Sequence, residues 1–332
     1  MGVGIISVGT SVPPKFLTNF DLEKMVDTSD EWITTRTGIK KRHIVDEGVN
    51  ASDLGAEAAL KALERAKLSP KDIDLIITTS SSPEMIFPPT VSLIQRKIGA
   101  SRAGGFDLLS ACTGFVSALI TGVQFIKSGD VETVLIVGTE VLSRLVNWED
   151  RNTCVLFGDA AGAVILREVG DDYGLISWNL HLDGEGAELL EIPAGGSKLP
   201  ASYDTVDKKL HYIRMNGREV FKFSVRVISE STEEALNKAN LSPKDLDWLI
   251  PHQANIRIIQ AGAERLGIPM EKIGITVDKY GNTSTASIPL TLEELLIQKK
   301  IKDRDLIAFV GFGAGLSWGT ALMRWKEVNL FD

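Results

Sequence analysis

The chain has 332 residues, 44% of them apolar and 24% charged, with 30 glycines, 12 prolines and no low-complexity tract. That excludes a disordered chain and fits two domains or one large α/β unit. Lys+Arg 36 against Asp+Glu 44 gives a net charge of −8, which excludes a general nucleic-acid binder.

In chain order, strands are predicted at 3–9, 73–79, 104–109, 133–139 and 160–167, and helices near 52–66, 90–98, 112–127 and 140–146. Beyond residue 170 the pattern starts again, with strands near 174–181, 247–250, 273–277, 306–311 and 318–325 and helices near 217–239, 255–266 and 284–299. Short apolar strands alternating with helical periodicity indicate βα units and largely parallel, buried sheets. The restart is visible in the residues themselves. LSPKDIDLII at 68–77 returns as LSPKDLDWLI at 241–250, an offset of 173 that also relates Glu57 to Glu230, Leu63 to Leu236 and Val137-Gly138 to Val310-Gly311. Two halves of one plan are expected, 1–170 and 171–332.

The start, MGVGIISVGT, has no basic segment and reads as a strand rather than a signal peptide. The longest apolar run, Ala160 to Leu166, falls far short of the roughly 20 residues of a spanning helix. With only Cys112 and Cys154, no disulfide scaffold is available. A cytoplasmic protein without membrane insertion is predicted.

Ligands of open α/β sheets gather beyond the carboxyl ends of strands, so reactive side chains at strand-to-helix junctions are the candidates. Cys112, in DLLSACTGF, opens a helix that is apolar nearly all round and therefore buried. Helix-start N–H groups and the helix dipole favour a thiolate there. An inert, packed cysteine is the competing reading. His252, in WLIPHQANI, follows a strand directly and is alone among the four histidines in lying between apolar segments. A lone histidine so placed is more often structural. Asn282, in YGNTSTAS, occupies the half-two loop that corresponds to the Cys112 loop, although Gly-Asn is also an ordinary turn pair. The glycine-dense VGFGAGLSWG precedes a strand, so it is not a dinucleotide fingerprint. No histidine follows Ser317, which removes the nucleophile-elbow reading of GLSWG. Its glycines suit close backbone approach to a substrate oxygen. Metal signatures and a phosphate-binding Walker loop are absent from the sequence. Cys154, in the apolar run NTCVLFGD, reads as core.

Taken together, Cys112, His252, Asn282, GFGAG, MVDTSDEWITTRTGIKKRHI at 25–44 and FGDAAGAVIL at 157–166 resemble β-ketoacyl-acyl-carrier-protein synthase III over essentially the whole chain. The resemblance implies a thiolase-like α/β fold, two duplicated βα halves packed as a five-layered α-β-α-β-α core. It implies an acyltransferase that condenses a short acyl-CoA primer with malonyl-acyl carrier protein (malonyl-ACP) and releases CoA and CO₂, starting type II fatty-acid synthesis. Cys112 would carry the acyl group, His252 and Asn282 would stabilise the enolate of the decarboxylated malonyl thioester, and the backbone N–H groups of Cys112 and Gly313 would form the oxyanion hole. Thr28, Trp32, Arg36, Arg151, Gly217 and Asn255 match CoA-binding positions. Phe87, from a partner subunit, and Leu142, Phe157 and Leu189 match the acyl pocket. Lys222 and Arg257 match carrier-docking positions; residues 207–226 hold six basic against two acidic side chains. A homodimer with no metal or other cofactor is implied. A starter synthase of a secondary-metabolite pathway and a non-catalytic acyl- or CoA-binding protein are the alternatives.

Overall fold

The computed structural model describes residues 1–328, so the last four positions of the expected second half lie outside the described residues. Two mixed sheets carry the fold. The first contains β1 (Val3–Ser11), β2 (Leu75–Thr79), β3 (Gly104–Asp107), β4 (Val134–Glu140) and β5 (Ala160–Glu168), in the order β1-β5-β4-β2-β3. The second contains β6 (Gly174–Leu182), β7 (Trp248–Pro251), β8 (Leu306–Gly313) and β9 (Ser317–Arg324), in the order β6-β9-β8-β7. Strand directions repeat as well. β1 and β4 each pair antiparallel with β5, just as β6 and β8 pair with β9, while β2 lies parallel to β4 as β7 lies parallel to β8.

Helices α1 (Ala51–Ala66) and α2 (Thr90–Ile98) cover the outer face of the first sheet, and α4 (Gly217–Lys238) with α5 (Ile256–Leu266) covers that of the second. Between the sheets lie α3 (Gly114–Ser128) and α6 (Ser287–Ile297), each packed against strands of both. This is a five-layered arrangement. By length and composition Ala111–Ser128 could cross a membrane, but most of it is buried inside the fold. Its apolar circumference is explained by neighbours on both sides: Phe115 meets Phe309 edge-on with ring centroids 6.3 Å apart.

The structure departs from the expected elements in three places. The sheets are mixed rather than largely parallel. Residues 140–146 do not form a helix, because β4 stays paired as far as Glu140 opposite Ala160, leaving a single turn at Leu142–Arg144. Residues 273–277 do not form a strand. Ile273 alone bridges to Leu249, with the Gly274 N–H donating to Leu249 O, and beyond it the Thr276 and Val277 N–H groups donate to Gln253 Oε1 instead.

Candidate active site

Cys112 lies in the turn Ala111–Thr113 that leads into α3, beneath the end of β8. Its closeness to Gly313 is measurable. A Cβ added to Gly313 would sit 2.8 Å from Cys112 Cβ and 3.1 Å from Sγ, below ordinary contact. The turn is entered through a left-handed residue, Ala111 (φ 43°), and Ser284, 173 positions later, has φ 47°. Both duplicated loops therefore carry a non-glycine residue in a sparsely populated conformation beside the site.

His252 follows β7 and is 1% exposed. Its backbone N–H donates to Val310 O, Phe312 meets its ring edge-on with centroids 5.2 Å apart, and its Nδ1 lies 2.8 Å from Ser287 Oγ. Asn282 is held by its backbone between Leu156 and Gly158. Its side-chain Oδ1 accepts the Ser284 N–H at 2.9 Å, which fixes the amide orientation and leaves Nδ2 as the donor end.

Burial governs the protonation of these groups. It pushes the Cys112 thiol up to about 12, with the nearby Glu140 carboxyl adding to the rise and the Ser284 hydroxyl opposing it. Burial also pulls His252 down to about 3, opposed by the Ser284 carbonyl near the ring. The resting pair is thus neutral thiol and neutral imidazole. This corrects the expectation that the helix start alone favours a thiolate: losing water outweighs that dipole. Glu140 is itself raised to about 7 by burial, although Ser81 N–H and the Ser82 hydroxyl donate to its carboxylate.

Three adjoining spaces form one path. The mouth, about 490 Å³, is lined by Trp32, Arg36, Arg218, Phe221, Asn255 and Arg257 among others. A neck of about 100 Å³ shares Leu156, Met215, Gly217, Phe221 and Asn255 with it and reaches Cys112, His252, Asn282 and Gly313. Beyond Cys112, sharing Phe157 and Leu190 with the neck, opens a mainly apolar space of about 430 Å³ walled by Leu109, Leu142, Leu145, Ile192 and Ile213. At the mouth both the Arg36 and Arg151 guanidiniums lie over the Trp32 ring, 4.9 and 5.3 Å from its centroid. Arg151 also donates to Asp27 O at 2.7 Å, and Asn255 Nδ2 to Arg36 O at 3.0 Å.

The expected residues thus converge, with exceptions. Leu189 does not line the apolar space; it packs against the core of the second half, and its chain neighbour Leu190 takes the wall. Phe87 is 81% exposed and lies outside this chain's own cavities. Thr28 lies outside the mouth's lining, its hydroxyl buried without a partner among the described residues. Lys222 is on the surface, paired with Glu219 at 2.9 Å. Sequence reasoning missed Met215, Phe221, Ser284, Ser287 and Glu140. Phe221 is hidden in the apolar periodicity of α4, Met215 lies in a two-residue strand just before it, and the others look like caps and a strand end.

A buried cysteine, histidine and asparagine on one channel, between two duplicated layers of βα structure, define a thiolase-fold condensing acyltransferase. Sequence comparison agrees. The profile described as 3-oxoacyl-[acyl-carrier-protein] synthase III matches residues 106–184, and that of its C-terminal part matches 236–325. A beta-ketoacyl-[acyl-carrier-protein] synthase III from Desulfitobacterium hafniense is 49% identical over 327 residues, covering 98% of this chain and 99% of the relative. The crystal structure of 3-oxoacyl-[acyl-carrier-protein] synthase III from Aquifex aeolicus superposes with a TM-score of 0.90 at 46% identity, covering 98% of this chain and all of the other. The priming β-ketosynthase of the R1128 polyketide pathway superposes at 0.91 with 32% identity, covering 99% and 97%. The chain belongs to the β-ketoacyl-acyl-carrier-protein synthase III family.

Proposed function

We propose that this chain joins a short acyl-CoA primer to malonyl-ACP by decarboxylative Claisen condensation, through an acyl-Cys112 intermediate. One observation carries the reading. A path runs from a cationic, aromatic mouth past Cys112 into a mainly apolar space fit for an acyl chain. CoA would rest at the mouth, its adenine against Trp32 and Arg151 and its phosphates near Arg36, with the pantetheine threading past Gly217 and Asn255. Cys112 attacks the thioester carbonyl, its proton passing to the departing CoA sulfur by way of His252. The backbone N–H groups of Cys112 and Gly313 hold the oxyanion. Malonyl-ACP then enters and loses CO₂. The enolate oxygen takes hydrogen bonds from Asn282 Nδ2 and His252 Nε2, and the enolate carbon attacks acyl-Cys112, expelling the thiolate, which takes up a proton.

Arg257 at the mouth and Lys222 on the adjoining helix face would receive the acidic carrier. A second copy of the chain would bring its own Phe87 to the apolar space. The exposure of Phe87, Ile86, Leu109 and Leu182 supports a homodimer. The halves 1–170 and 171–332 would then divide the work, the first supplying the nucleophile and the second the enolate donors. No cofactor takes part in this scheme, and cytoplasmic operation is part of the same reading.

Intact-protein mass spectrometry after exposure to a panel of acyl-CoAs, with Cys112→Ser as control, tests the first half-reaction. CO₂ release from malonyl-ACP against malonyl-CoA tests the second. Acylation confined to Cys112 and a preference for malonyl-ACP are expected. A preference for malonyl-CoA would favour the secondary-metabolite reading. An unacylated Cys112 with no CO₂ release would leave a binding protein.

A further inference from the structure

His252 meets one side chain at hydrogen-bond distance on its Nδ1 edge, the hydroxyl of Ser287, at 2.8 Å. That oxygen has two other neighbours of fixed character. The Gln253 N–H, at 3.2 Å, can only donate to it, and Ser284 O, at 2.8 Å, can only accept from it. A hydroxyl has one proton and two lone pairs. With the proton on Ser284 O, the contact with His252 is satisfied by Nδ1–H, and the neutral ring turns a bare Nε2 toward the channel. With the proton on Nδ1, Nε2 carries the hydrogen instead. Neither arrangement strands a partner, because Ser284 O also accepts the Ser287 backbone N–H.

The two half-reactions ask for these two states. Attack by Cys112 requires a proton acceptor, since burial keeps the thiol neutral. Enolate formation requires a hydrogen-bond donor. Alone, a backbone carbonyl would hold Nδ1–H and a backbone N–H would hold Nε2–H; here the Ser284 carbonyl near the ring favours Nδ1–H, and the Ser287 hydroxyl adds the donor that can hold the other tautomer. A serine hydroxyl accepts either.

We infer that Ser287 is a positioning residue whose hydroxyl, by turning between Ser284 O and His252 Nδ1, lets the imidazole serve as proton acceptor in acylation and as donor in condensation. The inference deepens the reaction proposed above and rests on it. Proton balance is kept. In acylation the thiol proton passes to Nε2 as the S–C bond forms, and moves to the CoA sulfur as its C–S bond breaks. Between the half-reactions Nε2 gains a proton from channel water and Nδ1 gives one up to water, so the ring is neutral before and after.

Ser287→Ala separates this from a structural role. Without the hydroxyl, Ser284 O is the remaining acceptor near the ring and Nδ1–H is locked. Acylation of Cys112, followed by mass spectrometry, should stay within about threefold of wild type. Single-turnover condensation of pre-acylated enzyme with malonyl-ACP should slow by about tenfold or more, part of the 10²–10³ typical of losing an oxyanion donor. Nitrogen-15 histidine spectra give the matching signature, assigned with His252→Asn. Wild-type acyl-enzyme holding a non-decarboxylating malonyl thioester analogue should show Nε2–H at His252, and the variant Nδ1–H only. Equal slowing of both half-reactions, or the same tautomer in both proteins, overturns the role of Ser287. Should the variant not fold, the wild-type spectra decide: one unchanged tautomer in free and analogue-bound enzyme overturns it. A wild-type Cys112 that takes up no acyl group overturns the underlying reaction as well.

Discussion

Gly313→Ala should disable the nucleophile while leaving the fold in place. The added methyl would meet Cys112 Cβ at 2.8 Å, Sγ at 3.1 Å and the Cys112 backbone nitrogen at 3.3 Å. Carbon contacts settle near 3.5–4.0 Å, so Cys112 and Gly313 must part by about 0.7 Å or more. Neither side gives easily: Gly313 ends β8, paired with Ser317, and Cys112 opens a helix packed between both sheets. A misplacement of about 1 Å costs on the order of 10² in rate, or about 2.7 kcal/mol of barrier, and both N–H groups of the proposed oxyanion hole move with it. Overpacking itself costs about 1–3 kcal/mol of stability, so activity is compared where thermal melting shows the variant folded. Single-turnover acylation from acyl-CoA, read by intact mass, should fall about 100-fold. Gly196→Ala, whose methyl would meet nothing within 4 Å, should acylate normally. Acylation of Gly313→Ala within threefold of wild type would refute the claim that this glycine sets the position of the sulfur.

Two further expectations concern pH. With the Cys112 thiol pushed up to about 12, its alkylation by iodoacetamide should climb about tenfold per pH unit from pH 7 to 10; a plateau near neutrality would reveal a preformed thiolate–imidazolium pair and contradict the neutral resting state. Glu140, buried and raised from 4.5 to about 7, binds more protons folded than unfolded between those values, so stability should fall with rising pH across that window, by about 3 kcal/mol in all, and then level off. Urea unfolding of wild type and Glu140→Gln at pH 5 and pH 8 checks this, and an equally steep decline in the variant would show that another group is responsible.

The candidate residues were legible in part because cysteine and histidine are few in the sequence and strand ends mark where ligands gather. That rule placed Cys112, His252 and Asn282 beside competing structural readings, and it was the resemblance that singled them out. What escaped depends on orientation or on partners distant in the chain. Leu189 and Leu190 are identical in composition, and only the turn before Leu190 decides which one faces the apolar space. Residues 273–277 look like a strand until Gln253, more than 20 positions earlier, takes their amides. The helix-start argument for Cys112 was sound locally and lost to burial, which only the packed layers disclose.

The repeat explains why the site could be assembled at all, and why Ser287 was overlooked. The offset of 173 relates Thr79 to His252, Ala111 to Ser284 and Gly114 to Ser287. In the first half the helix begins on glycine because a Cβ at Gly114 would lie 1.9 Å from Thr79 Oγ1. In the second half the same contact, strand end against helix start, is made between His252 and Ser287. One backbone arrangement therefore allows no side chain in one copy and holds a hydroxyl against the imidazole in the other. Which copy acquires the polar pair is set by two substitutions at matched positions. Neither stands out until the strand end of β7 and the start of α6 are seen to touch.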